Sequence, residues 1–392
     1  MTKPAPSTGK RRGGPLWALV LALDAPVVAV VLVGLAAVVA SPRPYWWAQL
    51  IAIGLPYATW VLAGFGVLWA LGRRWGAVAL HAGLVLWVVL RAGGFDRLSA
   101  PEAAAGDLVL TTFNVPRVGE SAEVLGDSVV AFVRDAAPDM LLYQDAWVSG
   151  QSTLRRERPE DQDVQVGAVL DALPYDLDVP PRVAGHPGWR QNKTGVPVLV
   201  RRQSGVDVVE QEALVIGVER DGDVSLALRT RFRWEGREAV IYNVHLRSFG
   251  ESKPWADETF RLFGPSTWVP YLRKYKTVFA QRGDEVEEIA RRIEGETLPV
   301  IVAGDFNSTA DNRSYHLLRT AGARRIDAMQ AVGDTRWGRT YHAERPFVRI
   351  DFVLVDPAFE VISADTTPVT FSDHRPVSVG LRWRDGGGEG GG

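Results

Sequence analysis

Three long apolar runs near the start of the chain constrain its fold more than any other sequence feature. The runs extend over residues 15–40, 46–71 and 75–90, and each is nearly free of charge. A helix needs about 20 apolar residues to cross the hydrocarbon core of a bilayer. The first two runs meet that length, and the third is marginal. We therefore expect a membrane region over residues 15–92 that contains three transmembrane helices.

A cleaved signal peptide is the alternative interpretation of the first run. Its apolar part would have only about 7–15 residues and would end at a small-residue cleavage site. The run from Pro15 to Ala40 is longer, and two more apolar runs follow it. Asp24 in the first run and His81 in the third are costly in lipid. We expect both to hydrogen-bond to neighbouring helices rather than to form an ion or proton site.

Lysine and arginine residues predict the orientation of these helices, because cytoplasmic loops are enriched in them. The tail, residues 1–14, is basic at residues 10–12, and Arg73 and Arg74 separate the second run from the third. If both basic segments are cytoplasmic, everything after the third run lies outside the cell. The sequence thus predicts a multi-pass protein of the cell membrane with an extracytoplasmic domain.

The rest of the chain divides into a linker, a large domain and a tail. Residues 93–105 are small and polar, as is typical of a linker, and residues 385–392 are almost all glycine and are predicted to be disordered. Residues 106–384 are long enough to build a core of their own. The chain has no cysteine. Disulfides, thiolate metal sites and a cysteine nucleophile are therefore excluded.

Short apolar segments alternate with amphipathic ones in residues 106–384, which predicts an α/β fold. The predicted strands cover residues 108–115, 140–143, 196–200, 239–246, 298–303, 350–355 and 377–381, and the predicted helices include residues 124–134 and 286–293. Polar side chains cluster at the strand ends, where ligand crevices form in α/β folds.

Six polar segments lie in or beside these strands. Each alone has a structural explanation: Asp305 and Asn307 favour a turn, His245 suits a hydrogen-bonded core position, and Asp351 beside Arg349 suits an ion pair. Six such segments in this order are hard to explain in that way. They are residues 111–114, 143–145, 242–246, 304–307, 349–352 and 372–376.

In order and spacing these segments resemble the motifs of the endonuclease/exonuclease/phosphatase superfamily, which includes deoxyribonuclease-like phosphoesterase domains. The resemblance covers nearly all of residues 106–384, and residues 195–201 and 340–341 are also similar to family segments. It implies a four-layer α/β sandwich, in which two mixed β-sheets pack face to face and helices flank them. The expected architecture is this sandwich preceded by three transmembrane helices.

The resemblance also implies ligands for a divalent metal. Asp145 would be the principal ligand of Mg²⁺ or Mn²⁺, with Asn114 beside it and Asp373 close by. Carboxylate and amide oxygens suit these ions. The family places a glutamate after glutamine, whereas here Asp145 follows Gln144. The aspartate carboxylate would lie about 1 Å closer to the backbone than that of glutamate. Three outcomes are possible: the strand shifts to compensate, a water bridges the gap, or the metal site is weakened.

Roles for the remaining polar residues follow from the same resemblance. Asp305 would orient or deprotonate the attacking water, and Asn307 would hold Asp305 or the phosphate. His245 and His374 would donate hydrogen bonds to phosphoryl oxygens. Asp351 would pair with His374, fix its tautomer and favour the imidazolium.

The function predicted from these residues is metal-assisted hydrolysis of phosphodiester bonds by water, with nucleic acid as the expected substrate. One alternative is a phospholipid headgroup or a small phosphorylated molecule. Another is a non-catalytic extracytoplasmic binding module with a degenerate site. No protein partner can be inferred.

Charge bears on the choice of substrate. Acidic residues outnumber basic ones in residues 106–384, so a face that binds nucleic acid would have to be locally basic. A basic groove across the site would favour nucleic acid, and a narrow pocket with apolar rims near the membrane would favour lipid. The candidate basic side chains are Arg117, Arg190, Lys193, Arg247 and Arg375.

Overall fold

The computed structural model describes residues 14–91, 106–115, 122–146, 148–149, 164–177, 193–218, 224–250, 264–332 and 338–384. The predicted linker, the glycine-rich tail and nearly all of the basic N-terminal tail lie outside these residues. So do Arg117, Arg190 and the side chain of Lys193.

Within the described residues, the three apolar runs form four helices. These are α1 (Pro15–Ala36), α2 (Trp46–Ile53), α3 (Leu55–Leu71) and α4 (Trp75–Arg91). Helix α1 is long and apolar enough to cross a membrane. Helices α2 and α3 reach that length only together, and they are bent by 68° at their junction, while α4 is shorter. Three spanning helices are therefore not established by helix geometry.

The break in the second run corrects the expectation of one continuous helix. Gly54 ends α2, and Pro56 lies in the first turn of α3, where the missing proline N–H removes no helix bond. Gln49 of α2 is buried, and its side-chain amide donates to the carbonyls of Ala37 at 2.7 Å and Ala40 at 3.0 Å. Helix α2 is thereby tied to the chain that follows α1.

Asp24 and His81 are buried and paired, as the sequence predicted. One carboxylate oxygen of Asp24 lies 2.9 Å from His81 Nε2, and the other accepts a hydrogen bond from Trp69 Nε1 at 2.8 Å. His81 Nδ1 lies 2.8 Å from the carbonyl of Ala77. These polar groups satisfy one another between α1, α3 and α4.

The remaining described residues contain fourteen strands and five helices. The strands are β1 (Leu108–Asn114), β2 (Met140–Gln144), β3 (Val148–Ser149), β4 (Tyr175–Leu177), β5 (Lys193–Thr194), β6 (Val198–Arg201), β7 (Val206–Val218), β8 (Val224–Trp234), β9 (Arg237–His245), β10 (Val300–Asp305), β11 (Ile326–Asp327), β12 (Asp351–Val355), β13 (Phe359–Thr366) and β14 (Val377–Trp383). The helices are α5 (Ala122–Ala136), α6 (Val164–Ala172), α7 (Pro265–Glu294), α8 (Arg313–Thr320) and α9 (Ala328–Val332).

Two six-stranded mixed sheets form the centre of this domain. Their strand orders are β13-β14-β1-β2-β6-β4 and β11-β12-β10-β9-β8-β7, and β3 pairs separately with β5. In the first sheet β1 and β2 are parallel, and in the second β9 and β10 are parallel. The predicted fold class, two packed mixed sheets flanked by helices, is confirmed.

Three apolar clusters hold the four layers together. The inner faces of the two sheets meet in one cluster, to which Leu110 and Ile301 contribute. Val129 of α5 packs on the outer face of the first sheet. Ile289 of α7 packs on the outer face of the second. Burial of apolar surface stabilises each contact by roughly 25 cal/mol per Å².

A buried polar network crosses the interface between the sheets. Gln144 Nε2 donates to Asn243 Oδ1 at 2.6 Å and to Thr112 Oγ1 at 3.0 Å. Asn243 Nδ2 in turn lies 2.9 Å from the carbonyl of Tyr143 and 3.0 Å from that of Val196. Because buried polar groups are costly without partners, this network fixes how one sheet sits on the other.

Replacing Asn243 by leucine tests that network. A buried polar group left without a partner costs about 1–3 kcal/mol, and several lose one here, so we expect Asn243→Leu to lower the free energy of unfolding by roughly 3 kcal/mol or more. Gln211→Leu is the control, since Gln211 donates one 3.2 Å bond to Thr230. Urea unfolding of the full chain in detergent measures both, and equal losses would contradict this account.

Candidate active site

The predicted polar segments meet at one edge of the sandwich. Asn114 ends β1, and His245 and Asp305 end the parallel strands β9 and β10 side by side. Asp351 begins β12 directly opposite Asp305 in the antiparallel register. Each sheet therefore contributes side chains to the same cluster.

Asp305 lies at the centre of this cluster and is almost completely buried. Its Oδ2 accepts hydrogen bonds from Asn114 Nδ2 at 2.9 Å and Asn307 Nδ2 at 3.1 Å, and its Oδ1 accepts from the backbone N–H of Asn307 at 2.7 Å. Asn307 Nδ2 also donates to the carbonyl of Leu246 at 2.9 Å. The amide of Asn307 is thus committed to holding Asp305.

The backbone on either side of Asp305 explains two of the residue types. Asn307 has a φ of +47°, a left-handed conformation that asparagine tolerates better than most residues. Gly304 has a φ of +135°, and a Cβ there would lie 2.0 Å from the carbonyl oxygen of Val244. Only glycine lets β10 approach β9 this closely beside the carboxylate.

His374 and Asp351 form the predicted pair. His374 Nδ1 lies 3.1 and 3.0 Å from the two oxygens of Asp351, and His374 Nε2 lies 3.8 Å from Asp305 Oδ2. Burial alone would lower the pKa of His374, but Asp351 and Asp305 together raise it to about 10. The ring is therefore an imidazolium near neutral pH. Arg349 pairs with Asp327 at 3.0 Å and not with Asp351, whose partner is His374.

His245 lies between two carboxylates. Its Nδ1 is 3.3 Å from Asp145 Oδ1, and its Nε2 is 3.6 Å from Asp305 Oδ2. Burial would lower the pKa of His245, but these acids raise it to about 9. Burial would likewise raise the pKa of Asp145, but the charge and hydrogen bond of His245 lower it. The two residues favour each other's charged forms.

The side-chain oxygens at this edge suit a divalent cation. Asn114 Oδ1 and Asp373 Oδ1 are buried and have no hydrogen-bond partner, which is costly unless another group completes them. Both are hard oxygen donors of the kind that Mg²⁺ and Mn²⁺ bind. Asp305, Asp351 and His374 also place ligand atoms within 4.8 Å of one another. Those three groups already contact one another, whereas the oxygens of Asn114 and Asp373 have no partner.

The sequence profile of the Endonuclease/Exonuclease/phosphatase family matches residues 111–374. The chain belongs to this family. Its members are phosphoester hydrolases that generally depend on a divalent metal. The matched residues contain every predicted site residue, from Asn114 to His374.

Comparison with solved structures finds similar chains at low sequence identity. A Bacteroides vulgatus endonuclease/exonuclease/phosphatase is 17% identical, with 71% of this chain and 99% of that chain covered and a TM-score of 0.46. The human Nocturnin catalytic domain with bound sulfate is 16% identical, at 72% and 97% coverage and a TM-score of 0.48. A Bacteroides thetaiotaomicron mannosyl-6-phosphatase is 16% identical, at 70% and 100% coverage and a TM-score of 0.45. No curated protein matches the chain.

The site of this family member also rests on a residue that the sequence analysis missed. Arg282 of α7 is completely buried and donates to the carbonyl of Arg247 at 2.8 and 2.6 Å and to Ser308 Oγ at 3.2 Å. Burial lowers the pKa of Arg282 to about 10, against the attraction of Glu285 and Asp305. Its guanidinium therefore holds the turn after Asp305 through the bond to Ser308.

A signal for Arg282 was present in the sequence. It lies four residues after Val278 and four before Val286, on the apolar stripe of an amphipathic helix. A charged residue on such a stripe is buried and needs partners, which only the folded chain identifies.

Two identical substitutions on α7 test the role of Arg282. A hydrogen bond that involves a charged group contributes about 1.5–3 kcal/mol, so we expect Arg282→Met, which removes two such bonds to the carbonyl of Arg247, to cost about 3 kcal/mol or more. Arg291→Met removes an exposed pair with Glu288 and should cost less than about 1 kcal/mol. Chemical unfolding of the full chain in detergent measures both, and a small loss for Arg282→Met would refute its supporting role.

Proposed function

We propose that this chain is a membrane-anchored, divalent-metal-dependent phosphodiesterase in which water attacks the phosphorus. One observation carries the proposal. A buried carboxylate, Asp305, lies within 4 Å of the Nε2 atoms of two histidines and accepts a hydrogen bond from Asn114, whose amide oxygen has no partner. This is a set of groups that phosphoester hydrolysis requires.

Each described side chain has a role in that reaction. His245 and His374 donate hydrogen bonds to phosphoryl oxygens and stabilise their negative charge. Asp351 orients His374, as carboxylates orient histidine in other hydrolases. Asp305, held by Asn114 and Asn307, positions the attacking water and accepts its proton. Asp305 lies between the two histidine donors, so water and phosphate are held side by side.

Asp145, Asn114 and Asp373 are the proposed metal ligands. A bound Mg²⁺ or Mn²⁺ would supply positive charge to the phosphoryl oxygens. Asp145 contacts His245 at 3.3 Å. The aspartate that replaces the family's glutamate is thus an ion-pair partner as well as a candidate ligand.

Membrane attachment through the N-terminal helices is part of the proposal, with α1, the bent pair α2–α3 and α4 as spans and the catalytic domain extracytoplasmic. Two contacts support it. Arg43, between α1 and α2, pairs with Asp284 at 2.6 Å, and Asn312 Nδ2 donates to the carbonyl of Gln49 at 2.8 Å. The α1–α2 connection and the catalytic domain thus share one side of the helices, opposite the basic pair of Arg73 and Arg74.

Nucleic acid and a lipid phosphoester are the two candidate substrates, and the described surface favours lipid. Arg247 donates to Ser225 at 2.6 Å and lies against Glu285, and Arg375 donates to the carbonyl of Ala343 at 2.7 Å. The two candidate basic side chains that the structure describes are thus engaged within the protein. An apolar cavity also lies between the helices and the site edge.

Substitution of the central residues tests the proposed reaction. A general base contributes about 10²–10⁴-fold, so we expect Asp305→Asn to reduce metal-dependent hydrolysis of bis(4-nitrophenyl) phosphate by that factor. His374→Ala should reduce it by about 10²–10³-fold, as loss of one oxyanion donor does.

The full chain in detergent is assayed with Mg²⁺, Mn²⁺ or EDTA, and with plasmid DNA or phosphatidylglycerol as second substrates. His316→Ala on α8 is the control and should retain activity. Turnover that resists EDTA, or survives Asp305→Asn, would exclude the mechanism. A folded protein with no turnover on any phosphoester would favour the binding-module alternative.

A separate prediction concerns the metal dependence of Asp145 variants. If this residue is a metal ligand, Asp145→Ala should raise the Mg²⁺ concentration for half-maximal activity by about 10–100-fold or more, since even residues behind the ligands have effects of that size. Asp145→Glu should retain metal activation, because it keeps the carboxylate. Unchanged metal dependence in Asp145→Ala would show that Asp145 pairs with His245 and does not bind the metal.

A further inference from the structure

A cavity of about 270 Å³ lies between the N-terminal helices and the site edge of the sandwich. Trp60 and Ala63 of α3 and Val88 of α4 line it from the helices, and Ala310 and Phe347 line it from the catalytic domain. Its size is near the lower end of small-molecule pockets, which span roughly 300–1,000 Å³. Trp60 is 68% exposed, so it belongs both to this wall and to the outer surface of α3, which would face lipid in the proposed membrane arrangement.

The polar side chains in the lining are committed within the protein or turned away from the cavity. Arg349 pairs with Asp327 at 3.0 Å, and Arg339 donates to the carbonyl of Pro346 at 3.4 Å. Gln330 of α9 is 8% exposed, and its Nε2 is buried. The cavity therefore offers mainly apolar walls, as a hydrocarbon chain requires.

The cavity shares its loops with the catalytic cluster. Phe347 lies 5.8 Å from the ring of Tyr341, and Tyr341 lies 5.0 Å from the ring of His374. Thr309, another lining residue, follows Asn307 by two positions. A molecule in the cavity would thus lie against the loops that hold His374 and Asp305.

We propose that this cavity holds a hydrocarbon chain of a membrane lipid phosphoester whose phosphate lies among His245, His374 and Asp305. This assignment rests on the proposed hydrolytic function and specifies its substrate as a lipid. Nucleic acid has no hydrocarbon chain to fill the cavity.

Binding is tested without catalysis. The full chain is placed in nanodiscs that contain phosphatidylglycerol with a diazirine in its acyl chain, and EDTA is added. After irradiation, we expect crosslinks on Phe347 or Ala310 of the catalytic domain. Ala63→Phe narrows the cavity and should reduce these crosslinks by about 10-fold or more, as an ill-fitting group in an apolar pocket does. Val67→Phe is the control on the same helix, since Val67 is 62% exposed and does not line the cavity.

Activity gives a second readout. With Mn²⁺, the ratio of phosphatidylglycerol turnover to bis(4-nitrophenyl) phosphate turnover should fall by about 10-fold in Ala63→Phe and stay unchanged in Val67→Phe.

The outcomes separate the two proposals. Crosslinks confined to the outer surfaces of α3 and α4, or an unchanged turnover ratio, would overturn the lipid assignment while bis(4-nitrophenyl) phosphate hydrolysis still supports the phosphodiesterase. Crosslinks in the cavity without hydrolysis of any substrate would support the lipid site and refute the catalytic proposal.

Discussion

The hydrogen bond from Asn114 to Asp305 joins the two sheets where the site forms, and the rest of the site depends on it. Asn114 belongs to one sheet, and Asp305 belongs to the other along with His245 and Asp351. A one-residue slip of a strand would turn its side chains to the opposite face. The site therefore exists only in one packing of the sandwich. The buried hydrogen bond from Gln144 to Asn243 constrains that packing further, on the neighbouring strands β2 and β9.

Charge within the cluster explains why a cation fits there. Four carboxylates, those of Asp145, Asp305, Asp351 and Asp373, surround two imidazoles. Burial raises the pKa of Asp305, and the charge of Asp351 raises it further, while the two histidines oppose this. Even with both histidines protonated, the acids are in excess. A divalent cation held by Asn114 and Asp373 would reduce this repulsion, and its charge would then act on the phosphate as well.

Sequence patterns predicted the parts of this molecule that depend on local periodicity. Strands such as β1 and β10 were recognisable as short apolar segments, and the Asp351–His374 pair followed from a family resemblance. The long hairpin of β7 and β8 was missed, because its alternating burial is interrupted by two irregularities in register. The break at Gly54 had a local signal, since Pro56 follows it by two residues. The position of α2 after the break depends instead on partners of Gln49 that are 12 and 263 residues away along the chain.

Docking of the apolar helices on the site edge limits how a substrate reaches Asp305. The pair of Arg43 and Asp284 is exposed, and such pairs contribute little. The buried side chain of Gln49 contributes more, since its Oε1 accepts from the N–H of Arg313 at 3.0 Å while its amide holds the chain after α1. These bonds fix the loop after β10 against α2. In the proposed membrane arrangement, a substrate in the plane of the bilayer would meet that loop directly, whereas a nucleic acid duplex would have to fit between the loop and the bilayer surface.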